Sequence, residues 1–376
     1  FMHILGNQRQ EALAELLIGA MNMCNHAGHN NLRCHQLMRH GREVLLALDD
    51  AEEILHAAPF LGIYAFMEGA YSEALRQFHL ALDQMVQGHE DIMELFCLRH
   101  VCFSAFNLGM FEFAEHQLQS RLRKYAPRSD NQLARTIRGQ LAGCLLRTGK
   151  LDAALEHLDT AQFGISPSHD IVSWISNSRQ LAYYHLLRGN LENAYRVLRS
   201  ALEESRNQQY NRPLYLSCVL LELLALFHKA GYPPLPCYSL EEEMERCLHG
   251  PNTLLRGIAL RLQGDLIMEE EPDKAERCYR LSIDTLQNVS AFELSKSYLS
   301  AARLAVRRGK RKTAYLYALY AWPHHEQLFY MWSAELEELI PESLRNSGRD
   351  GFTAEAILRR YRENLSAIPS SPTFST

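Results

Sequence analysis

The chain has 376 residues, 47% hydrophobic and 22% charged, with a formal net charge of -5. That composition excludes a disordered polyelectrolyte, and the mild negative charge gives no reason to expect nucleic acid or an anionic membrane as the main partner. The length exceeds that of a usual single globular domain, so two domains or one extended array is expected.

Residues 8–27 and 32–57 carry apolar side chains at helical spacing, and a segment 1–54 is expected to form capping helices. Cys24, His26, His29, Cys34, His35 and His40 fall together there. These are zinc-ligand types, but their spacing matches no zinc motif, and exposed imidazoles on a helix-turn-helix are the stronger reading, so no metal and no other cofactor is assigned. The nine cysteines are odd in number and form no CxxC; most sit in apolar helical stretches, as reduced thiols of a cytoplasmic protein would. No apolar run approaches the roughly 18 residues of a membrane span.

Segment 55–230 repeats itself. Gly69-Ala70-Tyr71-Ser72-Glu73-Ala74 is followed by Phe78 and Ala81, and Gly109-Met110-Phe111-Glu112-Phe113-Ala114 by Leu118. Gly149-Lys150-Leu151-Asp152-Ala153-Ala154 is followed by Leu158 and Ala161, and Gly189-Asn190-Leu191-Glu192-Asn193-Ala194 by Leu198 and Ala201. Glycine and alanine both recur every 40 positions. Each element has a physical reason. Glycine adopts the left-handed backbone that closes a first helix, the small alanine sits where two helices cross closely, and the large apolar residue one turn on fills the adjoining hole.

Segment 231–325 carries weaker copies. Gly231 leads into Tyr232-Pro233-Pro234-Leu235-Pro236, which cannot be helical. A helix restarts at Ser239, with Glu242 at capping-box spacing, and another is expected over 252–268. Ala275 with Tyr279, then Ala314 with Ala318 and Ala321, take the signature positions. Segment 326–365 reads as two closing helices, 326–339 and 353–365, and 366–376 as a Pro/Ser-rich flexible linker. With Phe1 standing before Met2, that tail leads to the expectation that the chain is part of a longer protein.

The Gly-x-aromatic/Leu-x-x-Ala-x-x-x-Phe/Leu-x-x-Ala core resembles the tetratricopeptide repeat (TPR) family, in its long-helix form, since the period is 40 rather than the usual ~34. The resemblance implies an all-α fold, a right-handed TPR-like superhelix (α-solenoid) of antiparallel helix pairs. HEAT repeats share the period, but neither their first-helix proline nor their Asp/Arg ladder is present. The stretch 55–345 is also similar to TPR regions fused to sigma-N-dependent AAA+ transcriptional activators. That similarity rests on Phe60-Leu61-Gly62-Ile63-Tyr64-Ala65-Phe66-Met67-Glu68-Gly69, on the Pro-rich insertion running into Ser239-Leu240-Glu241-Glu242-Glu243, and on Ile340-Pro341-Glu342-Ser343-Leu344.

Chemistry is sparse. Gly149-Lys150 and Gly309-Lys310 lack the rest of a phosphate loop, and no HExxH, GxSxG or kinase set occurs, so an enzyme is not expected. Arg307, Arg308, Lys310, Arg311 and Lys312 form a basic run across a turn; a solvated turn is the plain reading, a phosphate or acidic partner the functional one. By register with the TPR core, Arg99, Phe103, Asn107, Arg147, Arg179 and Tyr183 face a concave groove, and arginines among aromatics suit a peptide, a carboxylate or an aromatic effector. The expected function is a binding scaffold for a protein, peptide or small-molecule effector. It is either the regulatory array of a bacterial signalling or transcription regulator or a free-standing adaptor, with no nucleic acid or membrane bound directly.

Overall fold

The computed structural model describes residues 8–25, 31–48, 51–84, 91–125, 132–162, 171–207 and 218–341. All regular structure among them is helical. In chain order the helices are α1 (Gln8–Asn25), α2 (Asn31–Leu48), α3 (Ala51–His56), α4 (Ala58–Met67), α5 (Tyr71–Gln84), α6 (Asp91–Leu108), α7 (Phe111–Tyr125), α8 (Gln132–Arg147) and α9 (Leu151–Gln162). They continue with α10 (Ile171–Leu187), α11 (Leu191–Asn207), α12 (Cys218–Lys229), α13 (Leu240–His249), α14 (Thr253–Ile267), α15 (Pro272–Leu286), α16 (Ala291–Arg307), α17 (Arg311–Ala321) and α18 (Ala334–Leu339). The chain is an all-α solenoid of helix pairs, and it divides into two compact units, Phe1–Ser297 and Tyr298–Thr376.

Six turn glycines, at 69, 109, 149, 189, 231 and 309, have φ between 68° and 82°. At Gly69 its N–H donates to the Phe66 carbonyl at 3.1 Å and the Ala70 N–H donates to the Ala65 carbonyl at 2.9 Å. The same pair of bonds recurs at Gly189 and Gly309. This pair of hydrogen bonds satisfies the last carbonyls of the first helix and reverses the chain into the second. The signature alanines 74, 114, 154, 194, 275 and 314 are all 0% exposed. The large residue one turn on is buried as well, from Phe78 to Tyr279. Phe78 lies so close to Gly62 of α4 that a Cβ there would come within 2.9 Å of its ring.

The structure departs from the sequence reading in places. The stretch 32–57 holds two helices, α2 and α3, instead of one. In 326–339 only α18 is α-helical; it is preceded by the 3₁₀ turns Trp322–His324 and Phe329–Met331. Pro323 starts the first of these turns, and Ser333 caps α18 by accepting the Leu336 N–H, so the helix starts late. The Pro-rich stretch after Gly231 is non-helical and Ser239 caps α13 as its spacing suggested, its Oγ accepting the Glu242 N–H. The expected helix 353–365 and the tail 366–376 lie outside the described residues.

Within Phe1–Ser297 the first helices of the pairs also meet end to end. Asn252 caps α14, its Oδ1 accepting the Leu255 N–H at 3.0 Å. Its Nδ2 donates to the Met67 carbonyl at 3.2 Å and to the Tyr71 hydroxyl at 3.3 Å. The Thr253 N–H donates to the Glu68 carbonyl at 3.3 Å. The C-terminus of α4 therefore abuts the N-terminus of α14, and the opposite ends of two helix dipoles meet. One pair further on, a Cβ at Gly109 would lie 3.1 Å from the Phe292 side chain at the start of α16. Gly69 to Asn252 and Gly109 to Phe292 both span 183 positions, so the unit winds with a step of five helix pairs.

This geometry separates backbone strain from winding. Gly69 and Gly189 share the same left-handed backbone, but a Cβ at Gly189 meets nothing within 4 Å, whereas one at Gly69 meets Asn252 Oδ1 and the Thr253 nitrogen at 3.1 Å. Gly189→Ala should cost about 1 kcal/mol from the left-handed conformation alone. Gly69→Ala should cost more in urea unfolding, and equal costs would show that the end-to-end contact contributes nothing.

Candidate functional site

The winding brings the first helices of the pairs together around an interior. Arg147, in the last turn of α8, lies with its guanidinium 4.2 Å from the ring centre of Tyr183 on α10, 5.3 Å from Phe106 on α6 and 5.6 Å from Phe292 on α16. One guanidinium N–H donates to the Tyr183 hydroxyl. Arg147 and Tyr183 are each 1% exposed, and a desolvated cation over several ring faces is stabilised by about 2 kcal/mol.

A second layer consists of ion pairs. Lys296 Nζ on α16 donates to Glu222 Oε2 on α12 at 2.8 Å and lies 3.2 Å from Glu293 Oε1, one turn earlier on its own helix. Arg261 on α14 is 3.6 Å from Glu222, 3.9 Å from Glu293 and 3.3 Å from Asp265. Lys296 and Arg261 are fully enclosed, and Glu222 and Glu293 nearly so. Burial pushes the Glu222 carboxyl up, but Lys296, Arg261 and Arg147 together outweigh it and hold it below the usual carboxylate range. Two cations thus face three carboxylates, and Arg147 adds positive charge from nearby. Asn107 on α6 closes one side, its Oδ1 accepting from Cys218 Sγ at 3.8 Å. The space left between Phe106, Asn107, Arg147, Cys218, Leu254 and Phe292 is about 10 Å³, no more than one water requires.

The sequence-predicted residues are distributed as follows. Arg147 and Tyr183 are buried, and Phe103, Asn107 and Arg179 are partly buried. Arg99 is exposed, its guanidinium 5.3 Å over the Phe103 ring. Burial pushes the Arg179 guanidinium down to about 10. The difference from expectation lies in the groove itself: around Arg147 and Tyr183 the interior is filled by α14 and α16, so these two present no surface to a partner. Glu222, Arg261, Glu293 and Lys296 were not singled out from sequence. The available signal was a lone carboxylate in the apolar run Cys218–Phe227 and charges on the buried stripes of α14 and α16.

Other reactive groups are enclosed. Burial pushes the Cys97, Cys102 and Cys218 thiols up to about 12, far from the thiolate that nucleophilic chemistry needs. Of the Cys/His group, Cys34 is buried, His35 bonds Glu68, and His40 pairs with Glu15 at 2.6 Å. The side chains of Cys24, His26 and His29 lie outside the described residues, and among the described ones no cluster could hold a metal. No described helix is long and apolar enough to cross a membrane.

No family model and no curated protein matches the chain. Among solved structures it is similar to a signal transduction ATPase with numerous domains (STAND) carrying a tetratricopeptide repeat sensor, from Pyrococcus horikoshii. That likeness has 13% identity and a TM-score of 0.44 over 90% of this chain. This chain spans 54% of that protein's length.

Two expected outcomes follow from the ionic centre. Lys296→Met strands two buried carboxylates and should cost about 3–5 kcal/mol in urea unfolding, whereas Arg280→Met on the exposed face of α15 should cost almost nothing. Arg147→Ala should destabilise the unit as a core substitution; an unchanged midpoint would contradict its enclosure.

Stability should also fall with acid in two windows. His100, packed among Phe66, Phe78, Phe96 and Phe103, is pushed by burial down to about 4 from 6.5. It stays neutral when folded while the unfolded chain takes up a proton, so stability drops from about pH 6.5 toward pH 4. Glu222, depressed from 4.5, contributes stability above that value and loses it as the pH falls further. His157, His185 and His324 are lowered by burial as well, so His100→Phe should shrink the first window and Glu222→Gln the second in pH-resolved unfolding curves.

Proposed function

We propose that the chain is a non-catalytic regulatory array, the sensory part of a larger bacterial signalling or transcription regulator working in the cytoplasm. It binds a protein, a peptide or a small effector. The observation that carries this reading is the Asn252 junction, where one side chain both caps α14 and holds the last carbonyl of α4. A junction of few bonds between elements 183 positions apart is a place where the wound state can be loosened without unfolding any helix. An effector that binds the wound or the loosened state more tightly shifts the balance between them and alters what the array presents to its partners.

The enclosed ions support the same reading. They supply a well-defined wound state for an effector to favour or oppose. The reading also draws on the similarity of 55–345 to TPR regions that govern AAA+ activators.

Asn252→Asp tests it. The carboxylate retains the α14 cap but places an acceptor against the Met67 carbonyl, so the junction weakens while the helix stays capped. Hydrogen exchange should rise around 67–71 and at the start of α14 with little change in α9 or α11. A protein or effector recovered with the native chain should change protection at the same junction, and its affinity should shift several-fold in the variant. Binding that leaves both the junction's protection and the variant's affinity untouched would overturn the proposal.

A further inference from the structure

The helix pair α16–α17 reverses the charge pattern of the six pairs from α4–α5 to α14–α15. The second helices α5, α7, α9, α11, α13 and α15 each carry a carboxylate in the first turn, among them Glu73, Glu112, Asp152, Glu192 and Asp273. These complement the positive end of the helix dipole. In α17 the first turn has no acid and opens with Arg311 and Lys312. Lys312 takes the register position, two before the signature alanine, that Glu112, Asp152, Glu192 and Asp273 hold in the others. Lys310 precedes it without a side-chain cap. With Arg303, Arg307 and Arg308, six cations fall within ten positions, and no carboxylate lies between Glu293 and Glu326, in a chain whose net charge is -5. Arg307, Lys310, Arg311 and Lys312 are exposed.

The helix dipole does not explain Arg311 and Lys312, since two cations on a helix start oppose it and repel one another. A binding surface does explain them. On the same hairpin Tyr298 stacks on Tyr320 at 5.0 Å and on Tyr317 at 5.9 Å, and Tyr320 is 44% exposed. Arginine and tyrosine are the side chains that carry binding energy at protein interfaces.

We propose that the α16–α17 hairpin is a docking surface for an acidic, aspartate- and glutamate-rich segment of a partner protein. Charge complementarity picks out the occupant. A patch confined to one hairpin of a net-negative chain matches a short acidic segment, whereas a nucleic acid running past the patch would meet repulsion. The surface goes beyond the regulatory reading and does not depend on winding.

The test uses the full chain and a short fluorescein-labelled polyglutamate peptide in anisotropy titrations at low salt, with polyglutamine as the neutral control. The native chain should bind polyglutamate only, and added salt should weaken it. The double variant R311D/K312D should bind about tenfold or more weakly. It should melt no lower than the native chain, because it restores the carboxylates the other helices carry. A matched double variant on α15, R277D/R280D, changes the net charge equally and should leave binding unaltered. Three results would overturn the proposal: no preference for polyglutamate, equal weakening by both double variants, or tighter binding of a single- or double-stranded DNA oligonucleotide through Arg311 and Lys312.

Discussion

The end-to-end meeting of α4 with α14 is the constraint on which the first unit depends. A stack of helix pairs with only neighbour contacts buries one face of each first helix and leaves the other to solvent. Once the chain returns after five pairs and Asn252 seats on the Met67 carbonyl, the remaining faces are enclosed as well. The turn then has no room for a side chain, and Gly69 serves twice: its positive φ closes α4, and its missing Cβ admits Asn252 and Thr253. Gly149 and Gly189 serve only the first purpose, since open space faces them.

Enclosure explains the ions. First helices built to face a groove carry polar residues there, and winding takes those residues out of water. An isolated charge in that position would be intolerable, so the buried charges are paired, with Lys296 between two carboxylates and Arg261 among three. Such a centre adds little net stability over an apolar packing of equal volume. Its effect is on arrangement: a register slip of α12, α14 or α16 would part the cations from the carboxylates, whereas leucines in their place would accept several alignments. Arg147 extends the same logic with aromatic faces and the Tyr183 hydroxyl instead of carboxylates.

What was legible in the sequence is what repeats locally. The 40-residue step, the left-handed glycines, the enclosed alanines and the Ser239 cap all follow from contacts within one pair or between adjacent pairs, and their residue types state the requirement directly. The winding was not legible, because it depends on small rotations summed over five pairs, and no residue type announces a contact 183 positions away. An open groove was therefore the natural expectation, and the enclosure of Arg147 is its consequence. The ionic centre was hidden differently: Glu222, Arg261, Glu293 and Lys296 fall after the Pro-rich insertion, where the signature is too degenerate to say which face of a helix is inner. The 3₁₀ turns before α18 show the reverse case, where Pro323 and Ser333 held the information and the helix was still expected to start at 326.

A closed interior moves recognition to surfaces that winding does not consume. Turns between the helices of a pair are such surfaces, and in most repeats their chemistry serves the helix itself: glycine to reverse the chain, a carboxylate to complement the dipole. Where a turn keeps the glycine but inverts the charge, as at Gly309 and Lys312, the backbone requirement has been met and the electrostatic one set aside. The helix dipole gains nothing from that inversion, which is why the turn is the one proposed to meet an acidic partner. Comparing each repeat with its siblings therefore separates the residues the fold demands from those it merely tolerates, which conservation of the repeat signature alone cannot do.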